Sequence, residues 1–472
     1  MTIPRQSKIG FLSIAAAMFA MPFCAAEALP KDGPKNPVRL RIELDRPVLP
    51  ADRSEKAIIK ISLEGLRRER PESRPPANIA IVLDRSGSME GDKIAQAKAA
   101  AIEALKRLAA DDIFSLVAFG SKVETVIPAA RVGGGGALES RIMEIRAEGM
   151  TALYGGVSEG ASELRKNIEK PGYIHRMILL SDGQANQGPS TPEELGRLGS
   201  AFFKEGIPVT TVGLGLGYDE DLMTRLALRS DGNTYFVEGA PDLARIFKAE
   251  IGDALNVVAR RATVEMEFPS GIRPIRFIGR NGSINGQSAE VAINQIYGGE
   301  EKYALVEVEV QAGAENTERT VVNAKAVFED PVSQQTSTLS AMRKARFSAD
   351  EKTVAKYANH GVQTEYAKNI VALAQEKAIV LIDAGRQQEA AKLMKENASS
   401  LNSLANAYGI SAVAGISEDL EKKAKSIEAH GFGATSREKI QNRKIMQSNA
   451  ASTQNQQKNA AVTTSGQWDA GN

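Results

Sequence analysis

The side chains in this sequence best placed to do chemistry are a carboxylate and two hydroxyls at alternate positions, Asp84, Ser86 and Ser88, within Asn78–Asp92, NIAIVLDRSGSMEGD. Oxygen donors without nitrogen or sulfur suit a hard cation such as Mg²⁺, which binds through a few protein oxygens and keeps other coordination positions open. Gly87 lets the backbone curl between the two serines. The same side chains can instead cap the helix that follows, as an Asx or Ser turn. Two later stretches bring further oxygens. Thr151, in Gly149-Met150-Thr151-Ala152-Leu153, opens a helical pattern, and Met177–Asp182 (MILLSD) is an apolar run ending in Ser181-Asp182-Gly183.

These residues need elements to hold them. Ile79–Leu83 is a short apolar run that stops at Asp84, the pattern of a buried strand, and Asp92 opens a helix with Ile94, Ala97, Ala101, Leu105 and Leu108 at helical spacing. Ile113–Phe119 and Lys122–Ile127, joined by Gly120-Ser121, predict a hairpin. Helices are expected over Thr151–Lys166, Pro192–Glu205, Asp219–Arg229 and Pro241–Asn256, with strands at Ile174–Ser181, Pro208–Gly213 and Thr234–Val237 between them. Such alternation predicts a mostly parallel sheet covered on both faces. Ligands of these sheets collect outside the carboxyl ends of the strands, where Asp84 and Asp182 both sit. The glycines of Val132–Gly136 lack the Lys-Ser/Thr ending of a phosphate loop, so a surface loop is expected there. His175 has no second histidine or cysteine near it in sequence and is expected to be structural.

An Asp-x-Ser-x-Ser loop followed by a Thr and then an Asp, in this order and tens of residues apart, resembles the metal-ion-dependent adhesion site of the von Willebrand factor A family. Asp84, Ser86, Ser88, Thr151 and Asp182 match it position by position, over roughly Asn78–Asn256. The resemblance implies a doubly wound, Rossmann-like α/β domain and a divalent cation, Mg²⁺ first, with Mn²⁺ or Ca²⁺ as the other candidates. It further implies that Ser86, Ser88 and Thr151 contact the metal directly, while Asp84 and Asp182 act wholly or partly through water. A carboxylate from a partner protein then fills the open position.

The flanks read as β-structure. Val38–Leu44 (VRLRIEL) alternates cleanly and Ala57–Leu63 less so, as in an antiparallel sheet with one wet face; Ala262–Phe268, Tyr303–Val310 and Val321–Phe328 alternate again, with turn signals at Asn281-Gly282 and Gly298-Gly299. Two isolated strands cannot bury a core, so the early pair is expected to join the later strands in a β-sandwich into which the α/β domain is inserted. Asp350–His430 returns to helical spacing. The expected organisation is a signal peptide at 1–28, first sandwich strands at 37–66, the A domain at 74–256, the rest of the sandwich at 260–346, a small helical region at 350–430 and a disordered tail at 431–472.

Arg5 and Lys8, the apolar Ile9–Ala20 and the A-x-A-like Ala26-Glu27-Ala28 form a secretory signal pattern, which predicts export to the periplasm or cell surface of a bacterium. Cys24, the one cysteine, lies inside that segment, so a mature chain has no thiol for disulfides, catalysis or zinc. Cleavage leaves 57 basic and 57 acidic residues. That balance gives no basis for nucleic-acid binding, and no later apolar run is long enough for a membrane span. A metal-dependent envelope hydrolase would need a base or activated nucleophile beside the metal, and no H-E-x-x-H string, G-x-S-x-G nucleophile or histidine cluster is expected there. The expected function is therefore a non-enzymatic, metal-dependent protein-binding or adhesion module. The alternatives are the hydrolase and an envelope assembly scaffold that uses the A domain without metal switching.

Overall fold

The computed structural model describes residues 36–67, 74–133, 135–238, 240–433 and 435–458. The expected signal peptide lies outside them. The chain enters through three strands, β1 (Val38–Leu44), β2 (Val48–Pro50) and β3 (Glu55–Gly65), with β1 antiparallel to β3 so that Val38 faces Gly65 and Leu44 faces Ile59.

The α/β domain follows: β4 (Ala77–Asp84), α1 (Asp92–Lys106), β5 (Ile113–Phe119), β6 (Val123–Arg131), α2 (Gly135–Met143), α3 (Leu153–Arg165), β7 (Ile174–Ser181), α4 (Pro192–Glu205), β8 (Val209–Leu214), α5 (Glu220–Ser230), β9 (Thr234–Val237) and α6 (Ala240–Ala254). Its sheet runs β6-β5-β4-β7-β8-β9, parallel except for the β5–β6 hairpin. Side chains along a strand alternate between faces. In β4 this sends Ile79, Ile81 and Leu83 into one apolar layer with Ala97, Ala101 and Leu105 of α1 and Phe247 of α6. Ala80 and Val82 enter the opposite layer with Val157 and Leu164 of α3, Phe202 of α4 and Leu226 of α5. Burial on both faces is why β4 and β7 read as continuous apolar runs. The residues after Val132, expected as loop, enter α2 at Gly135.

α6 passes within a few residues into β10 (Val257–Glu267), followed by β11 (Ile272–Ile278), β12 (Ser283–Asn285), β13 (Ser288–Tyr297), β14 (Glu301–Val310), β15 (Glu318–Glu329) and β16 (Thr336–Ser348). Both sheets of the sandwich need the early strands. One has the order β1-β3-β14-β11; the other, β12-β13-β10-β15-β16-β2, ends with β2 parallel to β16. Ile59, Ile61 and Leu63 of β3 share one core with Val264 and Met266 of β10 and Val306 and Val308 of β14. The doubly wound domain is thus inserted into a sandwich, as expected.

Four helices come next: α7 (Glu351–Lys356), α8 (His360–Asp383), α9 (Gln387–Tyr408) and α10 (Ser411–His430). The outer face of β3, on a sheet expected to have one wet face, is covered in part, because Val362 of α8 packs on Ile58 together with Tyr303 and Leu305 of β14. The expectation of disorder from Gly431 is also corrected. α11 (Ser436–Gln454) begins with a Thr435/Glu438 capping box and leads into β17 (Gln457–Lys458), which pairs with β14. Arg443 at the middle of α11 forms ion pairs with Glu220 and Asp221 of α5 and with Asp383 of α8, and Lys444 pairs with Glu220. Residues after 458, Trp468 among them, lie outside the described ones.

Candidate metal centre

The sheet is built outward in both directions from β4, first to β5 and later to β7, so the crevice between the carboxyl ends of β4 and β7 is its switch point. Asp84 ends β4 and Asp182 follows the last residue of β7. The Asp84 carboxylate accepts hydrogen bonds from the Ser86 backbone N–H at 2.8 Å and from the Ser181 hydroxyl at 2.5 Å. The first of these bends the chain into the 3₁₀ turn Gly87–Met89, whose buried Met89 anchors it to the core. Ser86 Oγ and Ser88 Oγ are 3.1 Å apart, and Ser88 Oγ donates to Asp182 Oδ1 at 2.8 Å.

Thr151 arrives on a separate loop, held from three sides. Gly87 N–H donates to the Gly149 carbonyl at 3.0 Å, Met150 N–H to Ser121 Oγ at 2.8 Å, and Thr151 N–H to Asn186 Oδ1 at 2.8 Å. Gly149 adopts φ +81°, in the region open to glycine. A Cβ placed on Gly183 would lie 3.1 Å from Thr151 Oγ1 and 3.5 Å from Ser88 Oγ. The two hydroxyls therefore border one small space, kept clear by the absence of a side chain at 183. Hydrogen bonds link Asp84 to Ser86 and Ser88 to Asp182, with Ser86 Oγ beside Ser88 Oγ, so the five residues expected at the site are brought to the same strand ends.

Two carboxylates and three hydroxyls, with no nitrogen or sulfur donor, are a donor set that fits a hard divalent cation. Burial pushes the Asp84 carboxyl above its ordinary range; the Ser181 and Ser86 hydrogen bonds oppose this, and nearby Asp182 adds to it. A cation among these groups reverses that balance by favouring the carboxylate. The protein supplies one positive charge of its own. Lys93, on the first turn of α1, forms an ion pair with Asp182 Oδ2 while donating to the Ser88 carbonyl at 3.2 Å.

Lys93, Ser181 and Asn186 were not singled out as site residues from sequence. Ser181 stood in the quoted MILLSD run and could have been found as the inward hydroxyl preceding Asp182; Lys93 and Asn186 carry no signal beyond proximity to the loops. The expectation that no G-x-S-x-G string occurs is corrected: Gly156-Val157-Ser158-Glu159-Gly160 is one. It lies inside α3, not on the strand-to-helix turn that exposes a nucleophile. Its glycines serve packing, since a Cβ on Gly156 would meet the Phe119 ring at 2.5 Å and one on Gly160 would meet Val82 at 2.4 Å. His175 sits at the other end of β7, buried against the Asn78 side chain.

Residues 78–249 match the von Willebrand factor type A domain. Among curated proteins, an uncharacterized protein of Synechocystis sp. is 26% identical over 277 residues, covering 57% of this chain and 65% of its own length. The uncharacterized protein YfbK of Escherichia coli is 25% identical over 247 residues, covering 52% and 42%. The chain thus spans less than two thirds of either relative. Among solved structures, a von Willebrand factor type A protein from Catenulispora acidiphila superposes with a TM-score of 0.61 at 17% identity, covering 82% of this chain and 96% of that one, a likeness of fold. With the strand order and the family match in agreement, the chain carries over residues 78–249 a von Willebrand factor type A domain.

Proposed function

We propose that the protein is a metal-dependent protein-binding module in which Asp84, Ser86, Ser88, Thr151 and Asp182 hold a divalent cation, Mg²⁺ or Mn²⁺ in preference to Ca²⁺, that accepts a carboxylate from a partner protein. The observation that carries this reading is the convergence of two carboxylates and three hydroxyls at the switch point of the sheet. When bound, the cation supplies an electrophilic position that an Asp or Glu of the partner can fill. Ser86, Ser88 and Thr151 favour this because neutral hydroxyls leave more of the positive charge uncompensated than carboxylates would. Ser181 and the Ser86 N–H fix the orientation of Asp84. Met150, half exposed beside Thr151, offers the partner an apolar contact next to the charged one. Binding rather than catalysis is favoured because His175 is buried at the far end of β7 and Ser158 is embedded in a helix.

The Arg5/Lys8 head and the Ala26-Glu27-Ala28 end support an exported protein, working in the periplasm or at the surface of a bacterium. Among the described residues no helix is long and apolar enough to cross a membrane. The test is titration calorimetry with MgCl₂, MnCl₂ and CaCl₂, followed by capture from envelope extract with and without chelator. Metal binding abolished by Asp84→Ala, together with capture lost on chelation, is the expected result. Capture indifferent to both would overturn the metal bridge.

A further inference from the structure

Away from the metal centre, a cleft of about 390 Å³ opens where the A domain, the sandwich and the terminal helices meet. Ligand sites fall preferentially at such junctions, at volumes of roughly 300–1,000 Å³. Its walls come from α4 and α5, from the β11–β12 connection, and from α8 and the end of α11. A smaller hollow of about 80 Å³ adjoins it, sharing Arg225, Leu228, Glu376 and Gln454.

The charges on this cleft do not balance. Of its two acids, Asp231 is already paired with Arg280 and Lys302 at 2.9 and 3.1 Å, while Glu376 accepts from the neutral Gln454 amide at 3.0 Å and keeps its charge. Arg280 is likewise committed, to Asp231 and the Asn455 carbonyl. Lys204, Arg225 and Arg229 remain, and none of the three makes a hydrogen bond or ion pair among the described residues. Arg225 and Arg229 are four residues apart on α5, where like charges repel each other. Their stems lie over two glycines of α4: a Cβ on Gly196 would come within 2.9 Å of Arg225 Cγ, and one on Gly199 within 3.0 Å of Arg229 Cβ. Glycine inside a helix costs roughly 1 kcal/mol against alanine. The Arg225 stem is thus packed into the groove between α4 and α5, with Arg229 and Lys204 exposed beside it. Beside them Phe203, Leu228 and Leu373 give the cleft an apolar wall.

We infer that this cleft binds a compact organic anion, a carboxylate, sulfonate or phosphate carried on an apolar body, with Arg225 and Arg229 taking the anionic group and Lys204 assisting. Planar guanidinium groups pair with oxyanions in two-pronged fashion, and three cations facing Glu376 as the one acid without a cationic partner favour an anion over a neutral molecule. A neutral molecule of the same shape would gain only the apolar wall.

The probe is 8-anilinonaphthalene-1-sulfonate, followed by fluorescence and calorimetry on the full chain, with uncharged N-phenyl-1-naphthylamine as its comparison. One sulfonate should bind per chain, and the uncharged compound at least tenfold more weakly. Arg225→Ala/Arg229→Ala should weaken sulfonate binding by about tenfold or more, and Arg225→Lys/Arg229→Lys, which keeps the charge but loses the two-pronged geometry, should fall between that variant and the parent chain. Lys204→Glu changes an exposed side chain, so it tests the charge requirement even if the arginine variants fold poorly, and it should also weaken binding. Chelator and Asp84→Ala should leave the affinity unchanged, which separates this site from the metal centre. Equal binding of the two compounds, many weak sites per chain, or unaltered affinity in Lys204→Glu and the double alanine variant would overturn the assignment.

Discussion

The two ends of the A-domain sheet treat buried charge in opposite ways. At the carboxyl ends of β4 and β7, Asp84 and Asp182 are held by hydroxyls, one backbone N–H and a lysine whose side chain is 39% exposed. At the amino end of β7, Arg176 is wholly enclosed. It pairs with Glu250 of α6 at 3.0 Å and donates to Gln295 at 2.9 Å and to the Tyr297 hydroxyl, both on β13 of the sandwich. Glu250 in turn accepts from Tyr235, Asn233 and Thr210. The lower cluster is closed by protein partners from two domains and works as a weld. The upper one has protein cations and donors at its edge only, and so can take in a foreign charge.

Breaking the weld should have the largest effect. Arg176→Ala leaves Glu250 buried without its cation and should cost about 3–5 kcal/mol in denaturant unfolding, while a paired Arg176→Met/Glu250→Leu variant should recover much of it. A loss below about 1 kcal/mol would remove the contrast between the two ends. His175, beside Arg176, gives a second test of the lower end. Burial, with Arg260 and Arg261 nearby, holds its pKa down at about 4. Because the unfolded chain takes up this proton near pH 6.5 and the folded one near 4, its contribution to stability is complete above pH 6.5 and falls away with acidification through that window. The slope should reach about 1.4 kcal/mol per pH unit, and His175→Asn should flatten it in urea melts recorded between pH 4 and 7. An unchanged slope would mean that the lower end is wetter than its packing suggests.

At the upper end, Asp84→Ala should weaken Mg²⁺ by roughly 100-fold or more in calorimetry, with cooperative unfolding retained. The smallest and most discriminating effect belongs to Lys93. If its ammonium competes with a metal for Asp182, Lys93→Met should tighten Mg²⁺ binding by about two- to fivefold, the range set by a partly exposed ion pair. Weaker binding in that variant would make Lys93 a support of the site instead of a competitor.

Much of the upper end was legible in the sequence. Strands buried on both faces leave unbroken apolar runs, and the polar residues that end them, Asp84 and Ser181-Asp182, stand out against that background. Thr151 could be placed only through resemblance, since its position depends on Gly149, Ser121 and Asn186, which come from three different loops. The weld was not legible at all: Arg176, Glu250 and Tyr297 are 74 and 47 residues apart in turn, and nothing local marks them as partners. α11 was missed for a related reason. Its sequence is rich in Gln, Asn and Ser, with a narrow buried stripe at Met446, Ala450 and Ala451. Arg443 and Lys444, its charged anchors, have meaning only beside the acids of α5.

α11 also makes the chain mechanically continuous in a way that strand insertion does not. It is fastened to the start of α5 by Arg443 and Lys444, and it ends in β17 against β14 of the sandwich. The loop leading into α5 touches the candidate metal centre, because Asp219 N–H donates to the Gly183 carbonyl at 3.3 Å. Tension drawn along this last helix would run from the sandwich edge to the rim of the candidate metal centre without crossing the β-strands that carry the domain, giving the protein a second tether in parallel with the first.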